Sequence, residues 1–348
     1  MDDPEKYALE YLTTFGATHV GIATIESLSG GPPSTDITYL MPEAKSAIVF
    51  AYPFDNSLIP GFLKKEDRFG FEQENFKANY LATGLSMWAA HEIKQRGHNA
   101  IPVLTNNSYR DDTPMGKYDM QPDLNLKFLA VRSGIGHFGL SGNVLTKEYG
   151  PNVVLGAIVT SAPMELTDPL PSEDNYCDNC RLCTASCAAH FVDPEEKTTI
   201  TMGGVSFEHP KLRSYNRCTY VCGGFSGLHE SGKWSTWSPG RFPIPKDDQG
   251  FADAIGKHLG AYAKRPDMQG GYYNYLMPFS KIYQTCGNCQ FVCDPDKEVR
   301  KERYKMLTQS GVVVQHADGR LEAMSKEDAA AFVAALPPER KKLYEEIE

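Results

Sequence analysis

Nine cysteines, all confined to the stretch from Cys177 to Cys293, constrain this chain of 348 residues more than any other feature. The first four follow the spacing Cys-x2-Cys-x2-Cys-x3-Cys and are Cys177, Cys180, Cys183 and Cys187. This is the spacing of bacterial ferredoxins, in which three closely spaced cysteines bind one cluster and the fourth binds another. The run therefore predicts two [4Fe–4S] clusters.

A second run, Cys-x2-Cys-x3-Cys, lies further along the chain and is one cysteine short. Cys218 can supply the missing ligand, and Cys222 is then left over as the alternative to it. The first cluster is predicted to bind Cys177, Cys180, Cys183 and Cys293. The second is predicted to bind Cys187, Cys218, Cys286 and Cys289.

Zinc and disulfides are the other uses of clustered cysteines. Zinc takes four ligands, usually as two separated pairs, and rarely three cysteines as close together as Cys177–Cys183. A disulfide framework requires an oxidising compartment. The start, MDDPEKYALEYL, is acidic and unlike a secretory signal, and no apolar stretch reaches bilayer length. We therefore expect a cytoplasmic protein with no membrane partner.

Outside the cysteine region, hydrophobic periodicity predicts alternating helices and strands in residues 1–165. The helices are predicted at 4–15, 71–96 and 124–133, and the strands at 19–25, 45–53, 99–105 and 152–161. Residues 166–300 hold every cysteine and form a second domain with an insertion at 223–285. Residues 301–348 form an extension, in which GVVVQHADGRLEAM predicts a hairpin and Ser325 caps a helix. The fold class is α+β, with an α/β cofactor-binding domain first.

The chain is acidic, with 35 Lys and Arg against 44 Asp and Glu, a net charge of −9. Proteins that bind phosphate backbones usually present a basic face. Nucleic acid is therefore an unlikely partner on this evidence.

A glycine-rich segment, RSGIGHFGLSGN at 132–143, precedes the last strand of the first domain. Glycines remove side chains where the backbone approaches something closely, so this loop could rest on a flat cofactor and donate N–H groups to it. The residues by themselves fit an ordinary turn between helix and strand at least as well.

The same segment carries a family resemblance. Residues 132–161, RSGIGHFGLSGNVLTKEYGPNVVLGAIVTS, resemble RAGLGWIGKHTNLI…EYGSWLFLGEIL of epoxyqueuosine reductases. TYLMPEAKSAIVFAYPF (38–54) resembles their YLPEARSVIV strand, RCTYVC (217–222) their RCISY, and CGNCQFVC (286–293) their GCDxCQxVCPW. All four segments keep their order, and the related reductive dehalogenases resemble the chain in domain order.

The resemblance implies a nitroreductase-like domain that binds base-off cobalamin, followed by a two-cluster ferredoxin-like domain that reduces its cobalt from Co(II) to Co(I). It supports Cys218 as a cluster ligand. It also implies a reductase that removes oxygen or halide from a small molecule. Its electrons would come from a low-potential donor of ferredoxin or flavodoxin type. The corrinoid contacts implied are Arg132, Gly134, Gly136, His137, Gly139 and Asn143.

The chain departs from the family at the proton donor. The catalytic aspartate of epoxyqueuosine reductases lies in a DTGPVLER-like segment, whereas KYDMQPDLNLKFLAVR (117–132) aligns none cleanly. Tyr118 resembles the tyrosine acid of dehalogenases, and Asp119 is one residue away from the aspartate position. Both are candidate catalytic residues, and both fit ordinary loop positions equally well. The helical repeats that contact tRNA in some members are absent, which again argues against tRNA.

The role of the aromatic residues in the insertion remains open, since they either line a pocket or pack a core. They are Trp234, Trp237, Phe242, Tyr272, Tyr273, Tyr275 and Phe279.

Three functions also remain open for the chain. It is either the reductase just described, a non-enzymatic electron carrier that activates a corrinoid protein, or a reductase that uses flavin in place of cobalamin.

Overall fold

The fold is described from a computed structural model that covers residues 4–104, 109–114, 121–271 and 283–347. The chain forms two compact units. The first comprises Met1–Phe54, Glu74–Asn179 and Glu196–Pro210, and the second comprises Asp55–Gln73, Cys180–Glu195 and Lys211–Glu348.

Helices and strands occur in both units. The helices are α1 (Pro4–Thr14), α2 (Ile25–Leu28), α3 (Ile59–Leu63), α4 (Phe69–Gln95), α5 (Leu126–Arg132), α6 (Leu182–Ala185), α7 (Tyr215–Cys222), α8 (Asp248–Ala263), α9 (Asn288–Phe291), α10 (Lys297–Thr308), α11 (Lys326–Ala334) and α12 (Pro338–Lys341). The strands are β1 (His19–Thr24), β2 (Ser46–Pro53), β3 (Ala100–Val103), β4 (His137–Phe138), β5 (Val144–Leu145), β6 (Val153–Thr160), β7 (Val192–Met202), β8 (Val205–Leu212), β9 (Val312–Gln315) and β10 (Leu321–Met324). No described helix is both long and apolar enough to cross a bilayer.

The first unit is built on a four-stranded sheet of order β1-β2-β6-β3. Every neighbouring pair is antiparallel, with Ile48 opposite Ile158 in the central pair. The alternation of helix and strand therefore does not produce a parallel sheet here, because element order does not determine strand direction. Pro102 lies in β3, at the edge of the sheet, where a missing N–H costs no ladder bond to a further strand.

The long helix α4 covers most of the predicted range 71–96 and buries small side chains along its middle. Ala78 and Ala82 are fully buried, whereas Tyr80 is 72% exposed and Trp88 is 51% exposed. Small side chains allow this part of the helix to pack closely, so Tyr80 and Trp88 face outward, whereas Phe71 near the start of α4 is buried.

The hairpin β7–β8 was not predicted. Gly203 and Gly204 form its turn, both with positive φ (56° and 80°). A Gly-Gly pair between two β-rich runs is a recognised hairpin signal, so the sequence did carry this information. The turn packs closely on α2, because a Cβ on Gly203 would lie 2.7 Å from Ser27 Cα.

The second unit contains a helix inside the predicted insertion. Asp247 caps α8 by accepting from the Gly250 N–H at 2.8 Å, and Phe251 is fully buried. Three glycines within α8 (at 250, 256 and 260) lower its helix propensity and conceal it in the sequence.

The described aromatic residues of the insertion pack a core. Trp234, Trp237 and Phe242 are 2%, 5% and 3% exposed, and Trp237 Nε1 donates to Phe62 O at 2.9 Å. Their packing role therefore accounts for them, while Tyr272, Tyr273, Tyr275 and Phe279 lie outside the described residues.

The C-terminal extension matches its prediction. β9 and β10 form an antiparallel hairpin with Gln315 opposite Leu321. Ser325 caps α11, its Oγ accepting from the Asp328 N–H at 3.0 Å.

Candidate functional site

The first unit contains a cavity of about 590 Å³, which we call the glycine-loop cavity. Its walls are the loop around β4, the segment before Cys177, and the hairpin β7–β8. Its lining includes Gly136, His137, Phe138, Gly139, Leu140, Asn175, Cys177, Lys197, Phe207 and His209. This volume lies within the usual range of small-molecule and cofactor sites.

The glycines of the loop are required by the chain's own packing. A Cβ on Gly136 would lie 2.4 Å from the Leu145 carbonyl oxygen, and one on Gly134 would lie 2.5 Å from that of Asp168. Gly134 also has a φ of 73°, which disfavours other residues. These glycines are therefore needed because the loop passes close to neighbouring protein backbone.

The six predicted corrinoid contacts fall into two groups. Gly136, His137 and Gly139 line the cavity, whereas Arg132, Gly134 and Asn143 are not part of its lining. Arg132 is 4% exposed and its Nε donates to Ser27 O at 3.0 Å. Asn143 accepts from Lys127 Nζ at 3.1 Å. These contacts hold the loop in place, and a role toward a cofactor stays a prediction for all six.

Two imidazole rings in the cavity lining each leave Nε2 buried and without a hydrogen-bond partner among the described residues. They belong to His137 and His209. Burial lowers the pKa of His137, which favours its neutral form. His209 Nδ1 lies 2.9 Å from the Pro210 carbonyl oxygen, which can only accept, so its Nε2 is an acceptor when the ring is neutral. This environment fits a ligand with N–H or O–H donors, such as the amides of a corrinoid.

Cys177 joins the cavity to the cysteine motif. Its Sγ accepts from the Leu140 backbone N–H at 3.4 Å. Asn175 strengthens this link, because its Oδ1 accepts from the Cys177 N–H at 3.0 Å and its Nδ2 donates to Phe138 O at 3.1 Å. The sequence analysis missed Asn175, whose position two residues before a cysteine is a typical side-chain turn signal.

Cys180 lies between two residues with left-handed backbone, Asn179 (φ 55°) and Arg181 (φ 61°). Such residues cost about 1–3 kcal/mol each and persist where the surrounding structure requires them. Alternation of left-handed and ordinary residues turns successive N–H groups toward one side, a geometry that binds anions and iron–sulfur centres.

The four cysteines predicted for the second cluster lie within electrostatic range of one another in the second unit. Burial, with Cys218 and Cys187 acting in the same direction, raises the pKa of Cys286 to about 12. Burial also raises the pKa of Cys289 well above its usual value, with Cys187, Cys218 and Cys286, and also Cys183 of the first predicted set, acting in the same direction. Buried thiols that raise one another's pKa ionise more readily when positive charge is added, which is what iron supplies to thiolate ligands.

The described residues contain no group of three His, Cys, Asp or Glu side chains arranged around a single metal ion. A cubane requires a wider arrangement, because each cysteine binds a different iron. All nine cysteines are free of disulfides.

The structure favours Cys218 over Cys222 as the remaining ligand. Cys218 acts on the pKa of Cys187, Cys286 and Cys289, whereas Cys222 is exposed and acts on that of Tyr262. The ligand sets themselves stay predictions.

Asp294 occupies the position after the last cysteine, where ferredoxins usually have proline. Its Oδ2 pairs with Arg303 Nη1 at 3.0 Å, and its Oδ1 accepts from the Asp296 N–H at 3.0 Å. Arg303 Nη1 also donates to the Cys293 carbonyl at 3.1 Å. This buried ion pair replaces the proline as the element that orders the chain after Cys293.

The two candidate catalytic residues, Tyr118 and Asp119, lie outside the described residues. Their role as proton donors stays a prediction.

Comparison with known proteins gave no matching family model. An epoxyqueuosine reductase of Atelocyanobacterium thalassa is 30% identical over 162 residues, which is 45% of this chain and 45% of that protein. A tetrachloroethene reductive dehalogenase of Sulfurospirillum multivorans is 27% identical over 149 residues, 41% of this chain and 26% of the dehalogenase. The matches thus span less than half of either relative.

Solved structures of reductive dehalogenases resemble the whole chain in fold. One is of a catabolic reductive dehalogenase, with a TM-score of 0.52, and another concerns B12-dependent dehalogenation, with a TM-score of 0.51. Each is 13% identical and covers 99% of this chain and 38% of the dehalogenase. The mixed helix-and-sheet fold is therefore similar to theirs.

The prediction that nucleic acid is an unlikely partner is wrong. Epoxyqueuosine reductase has been solved with a tRNA stem loop, in a structure that is 18% identical, has a TM-score of 0.37, and covers 68% of this chain and 60% of that chain. Net charge is a sum over the whole chain, whereas RNA is recognised largely by local shape and stacking. An overall charge of −9 does not exclude such a partner.

The comparisons confirm the resemblance found in the sequence, and the relatives found are named as reductases. Over part of its length, the chain is similar to epoxyqueuosine reductases and to a reductive dehalogenase.

Proposed function

We propose that the chain is an iron–sulfur, corrinoid-dependent reductase that removes an oxygen or halide leaving group from an organic substrate. The observation that carries this proposal is the hydrogen bond from the Leu140 N–H to Cys177 Sγ. Both residues line the glycine-loop cavity, so a predicted cluster ligand forms part of the wall of the site that would hold the electron acceptor.

The proposal assigns residues 1–165 to a nitroreductase-like cofactor domain and residues 166–300 to a ferredoxin-like domain, with 301–348 as an extension. Cys177, Cys180, Cys183 and Cys293 would hold one [4Fe–4S] cluster, and Cys187, Cys218, Cys286 and Cys289 the other. The spacing of the cysteines and the mutual effect of the second set on their pKa values support these assignments.

The glycine-loop cavity would hold part of a base-off cobalamin, which is larger than a drug-sized ligand. Gly136 and Gly139 line the cavity with backbone, His209 offers an acceptor nitrogen for its amide groups, and His137 offers a ring nitrogen with no other partner among the described residues. When bound, a corrinoid supplies a strongly reducing metal centre, and the clusters supply one-electron transfer.

For an organohalide, the reaction replaces a carbon–halogen bond with a carbon–hydrogen bond, consumes two electrons and one proton and releases the halide anion. For an epoxide, loss of oxygen breaks both carbon–oxygen bonds, leaves a carbon–carbon double bond, consumes two electrons and two protons and releases water. The electrons would come from an external low-potential donor of ferredoxin or flavodoxin type, and the proton from Tyr118 or Asp119. The relatives' substrates make organohalides and epoxyqueuosine-modified tRNA stem loops the first compounds to test.

Anaerobic reconstitution with iron, sulfide and cobalamin, followed by gel filtration and metal analysis, tests the proposal. We expect about eight irons and about one cobalt per chain. His137→Phe should lower cobalt retention without changing the iron content. The control is His98→Phe, since His98 lies in the same unit but outside the cavity lining, and this variant should retain cobalt as the wild type does.

Eight irons without cobalt would contradict the corrinoid assignment. A flavin spectrum in the purified protein would then identify a flavin reductase, and clusters as the sole chromophore would identify an electron carrier. Absence of iron would contradict the cluster assignment itself.

A further inference from the structure

A buried arginine contacts one of the predicted ligands of the first cluster. Arg300, on α10, is 5% exposed, and its Nη1 donates to Cys180 Sγ across 3.7 Å. Both residues belong to the second unit. A guanidinium is always protonated in proteins, so this is a charge-assisted hydrogen bond to sulfur.

The structure holds Arg300 in this position from both sides. Asp296 caps α10 by accepting from the Glu298 N–H at 2.7 Å, immediately before Arg300. One turn later, Arg303 pairs with Asp294 and donates to the Cys293 carbonyl. The helix is therefore attached to the second cysteine run, and the guanidinium of Arg300 is directed at a sulfur of the first run.

We propose that Arg300 raises the reduction potential of the cluster held by Cys180. This inference rests on the proposed function, because it takes Cys180 as a cluster ligand. Reduction adds one electron, supplied by the external donor, and makes the cluster one charge more negative without uptake of a proton. A fixed cation hydrogen-bonded to a ligand sulfur stabilises the reduced state more than the oxidised one.

The hydrogen bond from Arg300 to Cys180 differs from the other hydrogen bonds described at predicted ligands of this cluster, because a charged side chain donates it directly to the sulfur. Cys177 accepts from a neutral backbone N–H, that of Leu140. Arg303 contacts the carbonyl of Cys293 and a carboxylate, so its charge is already balanced by Asp294. Arg300 thus brings a charged donor to a predicted ligand sulfur of the first cluster.

The test uses the full chain reconstituted anaerobically with iron and sulfide alone, so that no corrinoid or turnover is involved. Midpoint potentials are read from a redox titration followed by electron paramagnetic resonance. In Arg300→Gln we expect one of the two midpoints to fall and the other to stay unchanged. Arg300→Lys, which keeps a charge but loses the planar donor, should give a smaller fall in the same midpoint.

Lys301→Gln is the matched control. It removes one positive charge from the neighbouring position of α10, but Lys301 is 55% exposed and pairs with Glu298 at 2.7 Å. Both midpoints should be unchanged in this variant, because an exposed charge is screened by solvent and salt.

Unshifted midpoints in a fully loaded Arg300→Gln variant would overturn the proposal, as would equal shifts of both midpoints. If that variant loses iron, Arg300→Lys decides, and an unshifted midpoint there overturns it. A wild-type chain that forms no clusters would instead refute the proposed function, which separates the two failures.

Discussion

Replacement of Glu72 by glutamine should weaken the second unit and its cluster site. Glu72 is fully buried, and its Oε2 accepts from Arg68 Nη1 at 3.0 Å and from the Gly271 N–H at 3.1 Å. Its Oε1 accepts from the Gln284 N–H at 2.9 Å, two residues before Cys286. One carboxylate therefore binds an arginine and two backbone segments that are distant in sequence from it.

The cost follows from the number of donors that meet at this carboxylate. Glutamine keeps one acceptor oxygen and places an NH₂ group against N–H groups, so at least one bond is lost, and the buried Arg68 loses its counter-charge. A hydrogen bond to a charged group is worth about 1.5–3 kcal/mol, and breaking a buried ion pair costs about 3–5 kcal/mol. We expect a loss of about 3–5 kcal/mol, or roughly 6–20 °C in Tm for a unit of this size.

Anaerobic thermal unfolding of the reconstituted chain, with iron content measured after gel filtration, tests this expectation. Glu72→Gln should lower Tm by this amount and retain less iron, since the Gln284 amide anchors the chain just before Cys286. Glu66→Gln is the control, because Glu66 is exposed in the same unit and the substitution is identical. Equal Tm values for the two variants would refute the reasoning.

Three further outcomes are expected. Cys218→Ala should reduce iron to about four per chain while Cys222→Ala keeps about eight, measured by metal analysis; the reverse would exchange the two assignments. Ser325→Ala should cost about 1 kcal/mol in thermal unfolding and Ser325→Gly only a few tenths, because the Asp328 N–H loses its cap. Burial lowers the pKa of His258 below its ordinary value, so the unfolded chain binds more protons and stability should fall as pH drops through about 6.5. Urea midpoints at pH 7.5 and 5.5 should differ less in His258→Phe than in the wild type, and an equal difference would contradict this assignment.

Many secondary-structure elements could be predicted because their signals are local. The strand at Ser46–Pro53 and the hairpin of β9 and β10 follow from short apolar runs and turn residues. The hairpin β7–β8 also carried a local signal, its Gly-Gly turn, which the sequence analysis overlooked. Helix α8 carried no clear local signal, because three glycines weaken its helix propensity. It is stabilised instead by tertiary packing of residues such as Phe251.

The sequence by itself determined the spacing of the cysteines, on which the prediction of two clusters rests, because spacing along a short segment is a property of the covalent chain. It also indicated the resemblance to reductases, which depends on motifs in a fixed order. Only the tertiary structure decided which groups surround the site. The Leu140 N–H donates to Cys177, which is 37 positions away in sequence, and Arg300 donates to Cys180, which is 120 positions away. Such contacts result from how helices and strands pack against one another, and packing depends on the whole set of buried side chains rather than on any local pattern.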